Sequence, residues 1–290
     1  MNINGMLPED TFKGKVVLIT GGGTGLGKSI GEYILKLGGK IIITSRREEV
    51  IEKTAETFNA AYPSSTLGIA GDVRKIEDVE NVINEGFKKF NQIDMLINNA
   101  AGNFISPTER LSANAFSVII DIVLKGTCNY TLTLGKKWIK QKHSGTILNI
   151  TTTYALTGSG YVIPSAAAKG GVLTFTKSIA AEWAKYKIRC NAVAPGPFPT
   201  EGAWSRLVPP GFSKFFDIKK RIPLKRVGEH QELANLCAYL LSDYSGYITG
   251  EVVTIDGGEW MYNAGQFSWL DKVPSAMWTI IEKTIRKKSK

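Results

Sequence analysis

The hydrophobic residues of this chain form two alternating kinds of segment, short runs and longer periodic stretches. Short runs rich in Val, Ile and Thr are followed by stretches in which apolar residues recur at the three- and four-residue spacing of a helix. This alternation is typical of βαβ units on a parallel sheet. Near-continuous apolar runs also indicate strands that helices cover on both faces. The pattern therefore predicts an α/β fold with one doubly wound parallel sheet.

The individual elements follow from the same pattern. The predicted strands span residues 15–20, 40–44, 66–70, 93–98, 145–151, 188–193 and 251–255. The predicted helices run from a glycine-rich turn to about residue 37 and over residues 48–59, 76–90, 166–186 and 230–241, with a pair of helices within 113–140. The order of these elements alternates strand and helix along most of the chain, as a doubly wound sheet requires.

The chain shows no division into two halves. No linker rich in Pro, Gly or Ser interrupts it, so residues 1–290 are predicted to form a single domain, with a core over about 10–260 and an extension over about 261–290. Residues 195–223 contain six prolines, and a long loop of this kind in a compact domain is typically functional. In the extension, Trp278, Ile281 and Ile285 recur at helical spacing among basic residues.

The composition is that of an ordinary globular protein. Hydrophobic residues make up 43% and charged residues 21% of the 290 positions, which excludes disordered, collagenous and disulfide-scaffold proteins. The three cysteines lie far apart and there are two histidines, so no metal site is predicted. No stretch approaches the roughly 20 apolar residues of a membrane helix. With no secretory signal and no Ser-Lys-Leu peroxisomal ending, a cytoplasmic location is expected.

The net charge is the one unusual feature of the composition. The 36 Lys and Arg residues exceed the 26 Asp and Glu residues, giving +10. A surplus of this size is compatible with binding to nucleic acid, to an anionic membrane or to an acidic small molecule, and also with solubility alone. Because no nucleic-acid motif of a recognised kind accompanies it, no nucleic-acid partner and no integral membrane association are expected.

A glycine-rich turn follows the first predicted strand. Residues 20–27 read Thr-Gly-Gly-Gly-Thr-Gly-Leu-Gly, which fits TGxxxGxG and does not fit GxGxxG. Glycines let the backbone approach a pyrophosphate closely, and the helix that follows offers free N–H donors at its positive end. The strand before and the helix after supply the context that a dinucleotide site of Rossmann type needs. The predicted contacts are Gly21, Gly22, Gly23, Thr24, Gly25 and Leu26.

The end of the second predicted strand bears on the choice of cofactor. NAD-dependent folds of this type carry an acidic residue there for the ribose hydroxyl, whereas this chain reads Ser45-Arg46-Arg47. A guanidinium can bind a 2′-phosphate with two hydrogen bonds. NADPH/NADP is therefore favoured as the cofactor, with Arg46 as the first candidate for the phosphate ligand. The alternative is that both arginines are only solvated at the end of the strand. Asp72 follows the third strand, where the adenine is expected.

With these motifs in this order, the chain resembles the short-chain dehydrogenase/reductase family over about residues 10–260. The resemblance rests on three motifs, namely TGxxxGxG, the Asn-Asn-Ala-Ala-Gly run at 98–102 and Pro195-Gly196. The family usually has a Tyr-x-x-x-Lys pair after the fifth strand, but here those positions hold Ser165 and Lys169. Val123 also replaces a family asparagine, while Tyr154 stands just after the fifth strand.

These departures resemble one branch of the family, the NADPH-dependent 2,4-dienoyl-CoA reductases. The string of residues 99–111, the segment 154–160, Pro-Gly-Pro at 195–197 and Ser-Arg-Leu at 205–207 carry this likeness. The resemblance implies reduction of a 2,4-dienoyl-CoA to a 3-enoyl-CoA in the β-oxidation of unsaturated fatty acids. It also implies a homo-oligomer, commonly a homotetramer.

The resemblance assigns roles to individual residues. It implies that Tyr154 and Asn103 donate hydrogen bonds to the thioester oxygen, that Lys169 binds the nicotinamide ribose, and that Ser165 helps to hold the nicotinamide region. The segment that closes over the nicotinamide comprises Pro195, Gly196, Pro197 and Phe198. The implied acyl-CoA contacts are Arg74, Phe104, Ser112 and Arg206.

Simpler interpretations exist for several of these residues and for the function. Tyr154 also fits a packed core tyrosine, Asn103 a turn residue, Ser112 a helix N-cap and Arg206 a solvated loop charge. For the function, the alternatives are a short-chain reductase that acts on another acyl thioester or a carbonyl, and a non-catalytic NADP-binding sensor.

Overall fold

The computed structural model describes residues 5–200 and 217–288, and within those ranges seven strands form one sheet. The order across the sheet is β3-β2-β1-β4-β5-β6-β7, and every neighbouring pair is parallel. The strands are β1 (Val16–Thr20), β2 (Lys40–Ser45), β3 (Thr66–Ala70), β4 (Met95–Asn98), β5 (Gly145–Ile150), β6 (Ile188–Pro195) and β7 (Val252–Ile255). The predicted parallel sheet is confirmed.

The helices alternate with the strands along most of the chain. The described α-helices are α1 (Gly25–Lys36), α2 (Glu48–Ala61), α3 (Ile76–Phe90), α4 (Ala113–Ile120), α5 (Gly126–Gln141), α6 (Tyr154–Thr157), α7 (Ile163–Trp183), α8 (His230–Leu241), α9 (Glu259–Ala264) and α10 (Ser275–Lys288). Helices α3 and α8 have the predicted bounds. Helix α7 begins earlier than predicted because Pro164 occupies its first turn, where the missing N–H has no partner to lose.

The core consists of two apolar layers, one on each face of the sheet. Val17 and Ile19 of β1 are fully buried in a cluster with side chains from α1, α2 and α8. Their neighbours Val16 and Leu18 point the other way, into a cluster with side chains from α3, α5 and α7. Adjacent strand residues face opposite sides of a sheet, so the unbroken apolar runs are explained by helices on both faces.

The pair of helices predicted within residues 113–140 is one helical stretch interrupted by a π turn at Asp121–Lys125. By length and composition, Ala113–Gln141 passes as a candidate membrane span. However, Tyr130 and Trp138 are fully buried against the sheet. One face of this stretch therefore packs into the protein core.

The extension after β7 contains regular structure in its described part. It holds α9, a 3₁₀ turn at Ser268–Lys272, and α10, which includes the predicted helical spacing at Trp278 and Ile281. Of the proline-rich segment 195–223, residues 201–216 lie outside the described ranges, and Ile218–Arg221 forms a 3₁₀ turn.

Candidate active site

The candidate site lies where the carboxyl ends of β1, β4 and β5 meet. The chain runs from β1 outward to β3 and then returns to β4 on the other side of β1, so the connections diverge between β1 and β4. In doubly wound sheets, the crevice at such a point is the usual ligand site.

The glycine-rich turn after β1 has the shape of a phosphate cradle. Gly21 and Gly25 have φ values of +66° and +55°, which residues with a Cβ rarely adopt. A Cβ at Gly27 would lie 2.5 Å from the Gly21 carbonyl oxygen, so this close approach requires glycine. Thr24 is the N-cap of α1 and its side chain makes no capping hydrogen bond. The first amides of α1 are thus left to a ligand or water, and the turn fits the diphosphate of a dinucleotide.

The side chains of Thr20, at the end of β1, and Asn99, just after β4, join this cradle to the neighbouring strand. The hydroxyl of Thr20 accepts hydrogen bonds from the backbone N–H groups of Asn99 and Ala100, each at 3.0 Å. The Asn99 amide donates in turn to the carbonyl oxygens of Thr20 and Gly21, at 3.0 and 3.1 Å. In the sequence, Asn99 is recognised only as part of the Asn-Asn-Ala-Ala-Gly run at 98–102, and this role was not predicted. Its position directly after a strand was the available signal.

The ends of β2 and β3 carry a cluster of charges. The Asp72 carboxylate accepts from Arg74 Nε at 3.0 Å and from Arg74 Nη2 at 2.5 Å. The Arg74 hydrogen bonds lower the pKa of Asp72, and the charge of Arg46 lowers it further. Arg46 is exposed at the end of β2. The structure therefore groups Asp72, predicted at the adenine, with Arg74, predicted at the acyl-CoA.

Three polar side chains predicted to be catalytic form one hydrogen-bonded group. Tyr154 opens the short helix α6 just after β5, and its hydroxyl lies 3.1 Å from Ser165 Oγ. The Asn103 Nδ2 donates to the same hydroxyl at 3.3 Å. The Asn103 Oδ1 accepts from the N–H of Phe104 at 2.9 Å, which fixes the orientation of the amide. Tyr154 is partly exposed, so it is not a packed core tyrosine.

Lys169 lies one helical turn after Ser165 on α7 and is buried. Its Nζ donates to the carbonyl oxygen of Ile150 at the end of β5. Burial lowers the pKa of Lys169 to about 8, because a charged ammonium is costly to remove from water. An ammonium has three N–H donors, and the carbonyl satisfies one of them. The remaining donors fit the ribose hydroxyls of a nicotinamide cofactor.

The residues predicted to bind acyl-CoA lie in different surroundings. Phe104 packs against an apolar cluster that includes Val123 and Ala168. Ser112 is the N-cap of α4, and its hydroxyl accepts from the N–H of Ala115 at 3.1 Å. Arg206 lies outside the described residues. Val123 is 1% exposed, so the position where the family resemblance leads one to expect an asparagine is part of an apolar floor here.

The segment 195–198 crosses the same edge of the sheet. Pro195 ends β6, and the Gly196 N–H donates to the Ile255 carbonyl at 2.9 Å. A Cβ at Gly196 would lie 2.6 Å from the Cβ of Asp256, the residue after β7, so this close contact requires glycine. The Pro197 carbonyl accepts from Gly228 at 3.0 Å, and Phe198 is 8% exposed. These contacts fix the segment at the carboxyl end of β6.

Comparison with known proteins gives consistent matches over most of the chain. A family model described as enoyl-(acyl carrier protein) reductase matches residues 21–259. A Caenorhabditis elegans protein named probable 2,4-dienoyl-CoA reductase decr-1.2 [(3E)-enoyl-CoA-producing] is 43% identical over 265 residues, covering 90% of this chain and 85% of that protein. A Bacillus subtilis protein named probable 2,4-dienoyl-CoA reductase [(2E)-enoyl-CoA-producing] is 40% identical over 255 residues, covering 85% and 97%.

A solved structure shows the same likeness in three dimensions. The crystal structure of a short chain dehydrogenase from Bacillus anthracis superposes with a TM-score of 0.78 at 41% sequence identity. The match covers 87% of this chain and 98% of that protein.

Proposed function

The chain belongs to the short-chain dehydrogenase/reductase family, and we propose that it reduces 2,4-dienoyl-CoA thioesters to 3-enoyl-CoA with NADPH. The observation that carries the proposal is the group formed by Asn103, Tyr154 and Ser165 at the carboxyl end of the sheet. Within this group, Ser165 occupies the position where the family's Tyr-x-x-x-Lys pair has its tyrosine. Two relatives whose names include 2,4-dienoyl-CoA reductase match 85% or more of the chain.

Asn103 and Tyr154 suit the stabilisation of a thioester oxygen. Reduction at the far end of a conjugated diene moves negative charge onto this oxygen, as a dienolate, and a proton from Tyr154 or from water, added to the carbon chain near the thioester, then gives the 3-enoyl-CoA. The Tyr154 hydroxyl already accepts from Asn103, so its own proton is directed to Ser165 or to a substrate oxygen. The second N–H of the Asn103 amide is the other donor. A single preorganised donor of this kind typically contributes about 2.7–4 kcal/mol to the transition state.

The cofactor site is proposed to use the cradle, Lys169 and Arg46. When bound, the nicotinamide cofactor supplies the reducing equivalent. The free amides at the start of α1 hold the diphosphate, and Lys169 donates to the nicotinamide ribose while Ile150 fixes its position. Arg46 is exposed at the end of β2, where its guanidinium can bind a 2′-phosphate. A carboxylate that would repel this phosphate is absent from residues 45–47.

The proposed acyl-CoA contacts combine apolar and polar groups. Phe104 covers the apolar floor around Val123 and contacts the acyl chain. The Arg74 side chain is 34% exposed despite its pairing with Asp72, so its guanidinium can also bind a phosphate of the substrate. As an N-cap, Ser112 uses an oxygen lone pair and keeps its hydroxyl proton for the substrate. Arg206 is proposed as a further phosphate ligand.

The proposal is tested by following NADPH absorbance with a panel of substrates. A 2,4-dienoyl-CoA is expected to be reduced, and NADPH is expected to be used in preference to NADH. A 2-enoyl-CoA and a 3-oxoacyl-CoA serve as comparisons, since they probe the two other reductions open to this family. Turnover of either comparison substrate without turnover of the dienoyl-CoA would refute the assignment. A homotetramer is also proposed, and sedimentation velocity measures it directly.

A further inference from the structure

One histidine connects the segment after β6 to the cofactor cradle. His230 is the first residue of α8, and its Nε2 lies 2.8 Å from the carbonyl oxygen of Pro199. Its Nδ1 lies 2.8 Å from the hydroxyl of Ser29 on α1. The imidazole of His230 therefore joins three parts of the chain that are distant in sequence, namely α1, α8 and the segment that crosses the candidate site.

The hydrogen-bond partners define how the ring is used. A backbone carbonyl can only accept, so Nε2 carries a proton and donates to Pro199. In the neutral ring, Nδ1 then accepts from Ser29. The Ser29 hydroxyl has one proton, which goes either to Nδ1 or to the carbonyl oxygen of Gly25, 3.2 Å away in the same helix. When Ser29 donates to Nδ1, the closer of the two at 2.8 Å, both ring nitrogens are satisfied and the ring is held in one orientation.

The residue after Pro199 reaches the cradle itself. A Cβ built at Gly25 would lie 3.2 Å from Thr200 Cγ2, so the Thr200 side chain lies directly over the first turn of α1. His230 therefore contacts the cradle helix α1 in two ways. It bonds directly to Ser29, and it bonds to Pro199, whose neighbour Thr200 lies against Gly25, one helical turn before Ser29. The position of Thr200 over the cradle is therefore tied to the position of Pro199.

The start of α8 is held by several hydrogen bonds of its own. Glu229 and Glu232 form a reciprocal capping box, and Arg226 binds the Glu232 carboxylate with two hydrogen bonds at 2.7 and 2.6 Å. The backbone N–H of Gly228 also donates to the Pro197 carbonyl at 3.0 Å. Carbonyls 197 and 199 are therefore both held by the same short stretch of chain.

We infer that His230 is a positioning residue for the NADPH site, which holds Pro199 and Thr200 over the glycine-rich turn through its bonds to Pro199 and Ser29. This inference rests on the proposed cofactor site and adds to it a residue that touches neither cofactor nor substrate. Its effect is on the affinity for NADPH rather than on the reduction step, because the Asn103, Tyr154 and Ser165 group lies on other elements.

The test compares three variants of the full chain by fluorescence titration with NADPH and by kcat and KM. His230→Leu removes both ring hydrogen bonds and is expected to weaken NADPH binding about five- to tenfold, with kcat nearly unchanged. His230→Gln keeps an N–H donor for Pro199 and is expected to restore most of the affinity. The control is Gln231→Leu, since Gln231 lies beside His230 but bonds to Asn235 on its own helix.

Two results would overturn the inference. One is wild-type affinity for NADPH in His230→Leu. The other is a His230→Leu variant in which kcat and Tm fall and both KM values rise to a similar extent, with no rescue by His230→Gln. Such a result would show that His230 has a structural role only. If His230→Leu does not fold, Ser29→Ala decides the matter: it keeps the bond to Pro199 and is expected to cost about two- to threefold in NADPH affinity.

The proposed function and this inference fail in different ways. A wild-type protein that binds NADPH but does not reduce a 2,4-dienoyl-CoA refutes the proposed substrate, and the titrations still decide the role of His230. A wild-type protein that reduces the dienoyl-CoA while the His230 variants bind NADPH unchanged refutes only the inference. A wild-type protein that binds no NADPH refutes both.

Discussion

The Asn103 amide donates a hydrogen bond to the Tyr154 hydroxyl over 3.3 Å, although the two residues are 51 positions apart in the chain. Asn103 lies in the segment after β4 and Tyr154 in the segment after β5. Neighbouring parallel strands bring the two segments to one edge. In the proposed function this pair supplies two donors of different chemistry to the thioester oxygen, and that role is open to direct test.

Replacing Tyr154 by Phe removes one donor and leaves the ring. We expect kcat for a 2,4-dienoyl-CoA to fall about 10²–10³-fold, the typical cost of one oxyanion donor. NADPH binding is expected to stay nearly unchanged, as measured by fluorescence titration. Tyr161→Phe is the matched control, because Tyr161 is 64% exposed and lies seven positions away. An equal loss of activity in both variants would contradict the assignment.

Asn103→Asp tests the second donor with little change in shape. The aspartate keeps an oxygen that accepts from the Phe104 N–H, but it donates nothing and adds a negative charge near the developing oxyanion. We expect a loss of at least about 10²-fold in kcat. Near-wild-type turnover at neutral pH would show that Asn103 is only a turn residue.

The buried ammonium of Lys169 makes stability depend on pH. Its pKa is lowered from 10.5 in the unfolded chain to about 8, so the folded state binds fewer protons than the unfolded state between these two values. The free energy of unfolding is therefore expected to rise as the pH goes from about 8 to 10.5, by up to about 3 kcal/mol. Below pH 8 this contribution is lost.

The measurement is urea unfolding at several pH values in the wild type and in Lys169→Met. Methionine has no titratable group, so the difference between the two proteins isolates the contribution of this lysine. A difference that does not change between pH 8 and 10.5 would contradict the lowered pKa.

Arg46→Ala tests the choice of cofactor. Removing the guanidinium is expected to weaken NADPH binding about 10- to 100-fold, which is the range for hydrogen bonds between charged groups. Affinity for NADH is expected to change little, because NADH has no 2′-phosphate. Arg47→Ala is the control, since Arg47 is the adjacent exposed arginine. If Arg47→Ala has the larger effect, the phosphate ligand is Arg47.

The regular elements were largely predictable because the sheet is covered on both faces. Strand β3 and helices α3 and α8 have the bounds that the hydrophobic pattern predicts. The π turn at Asp121–Lys125 could not be predicted, since its apolar residues continue the helical pattern on either side. The early start of α7 was signalled by Pro164, a residue that helices accept in the first turn.

The candidate site was predictable only in part. The glycine pattern and the strand before it predicted a phosphate cradle, because the chemistry is local. No spacing in the sequence predicts that Asn103 meets Tyr154, and the assignment came from the family resemblance alone. The pairing of Asp72 with Arg74 was missed because each residue was assigned to a different ligand. His230 was missed because its partners, Ser29 and Pro199, are far from it in sequence.

The π turn beneath Phe104 has a consequence for the length of the chain. The backbone hydrogen bonds of a π turn join residues five positions apart, whereas those of an α-helix join residues four positions apart, so a π turn contains one extra residue. Deleting one residue within Asp121–Lys125 would therefore let the segment close as regular α-helix while α4 and α5 keep their own neighbours. The floor around Val123 can thus be reshaped by a change of length at one point. The surrounding sheet would not have to shift its register.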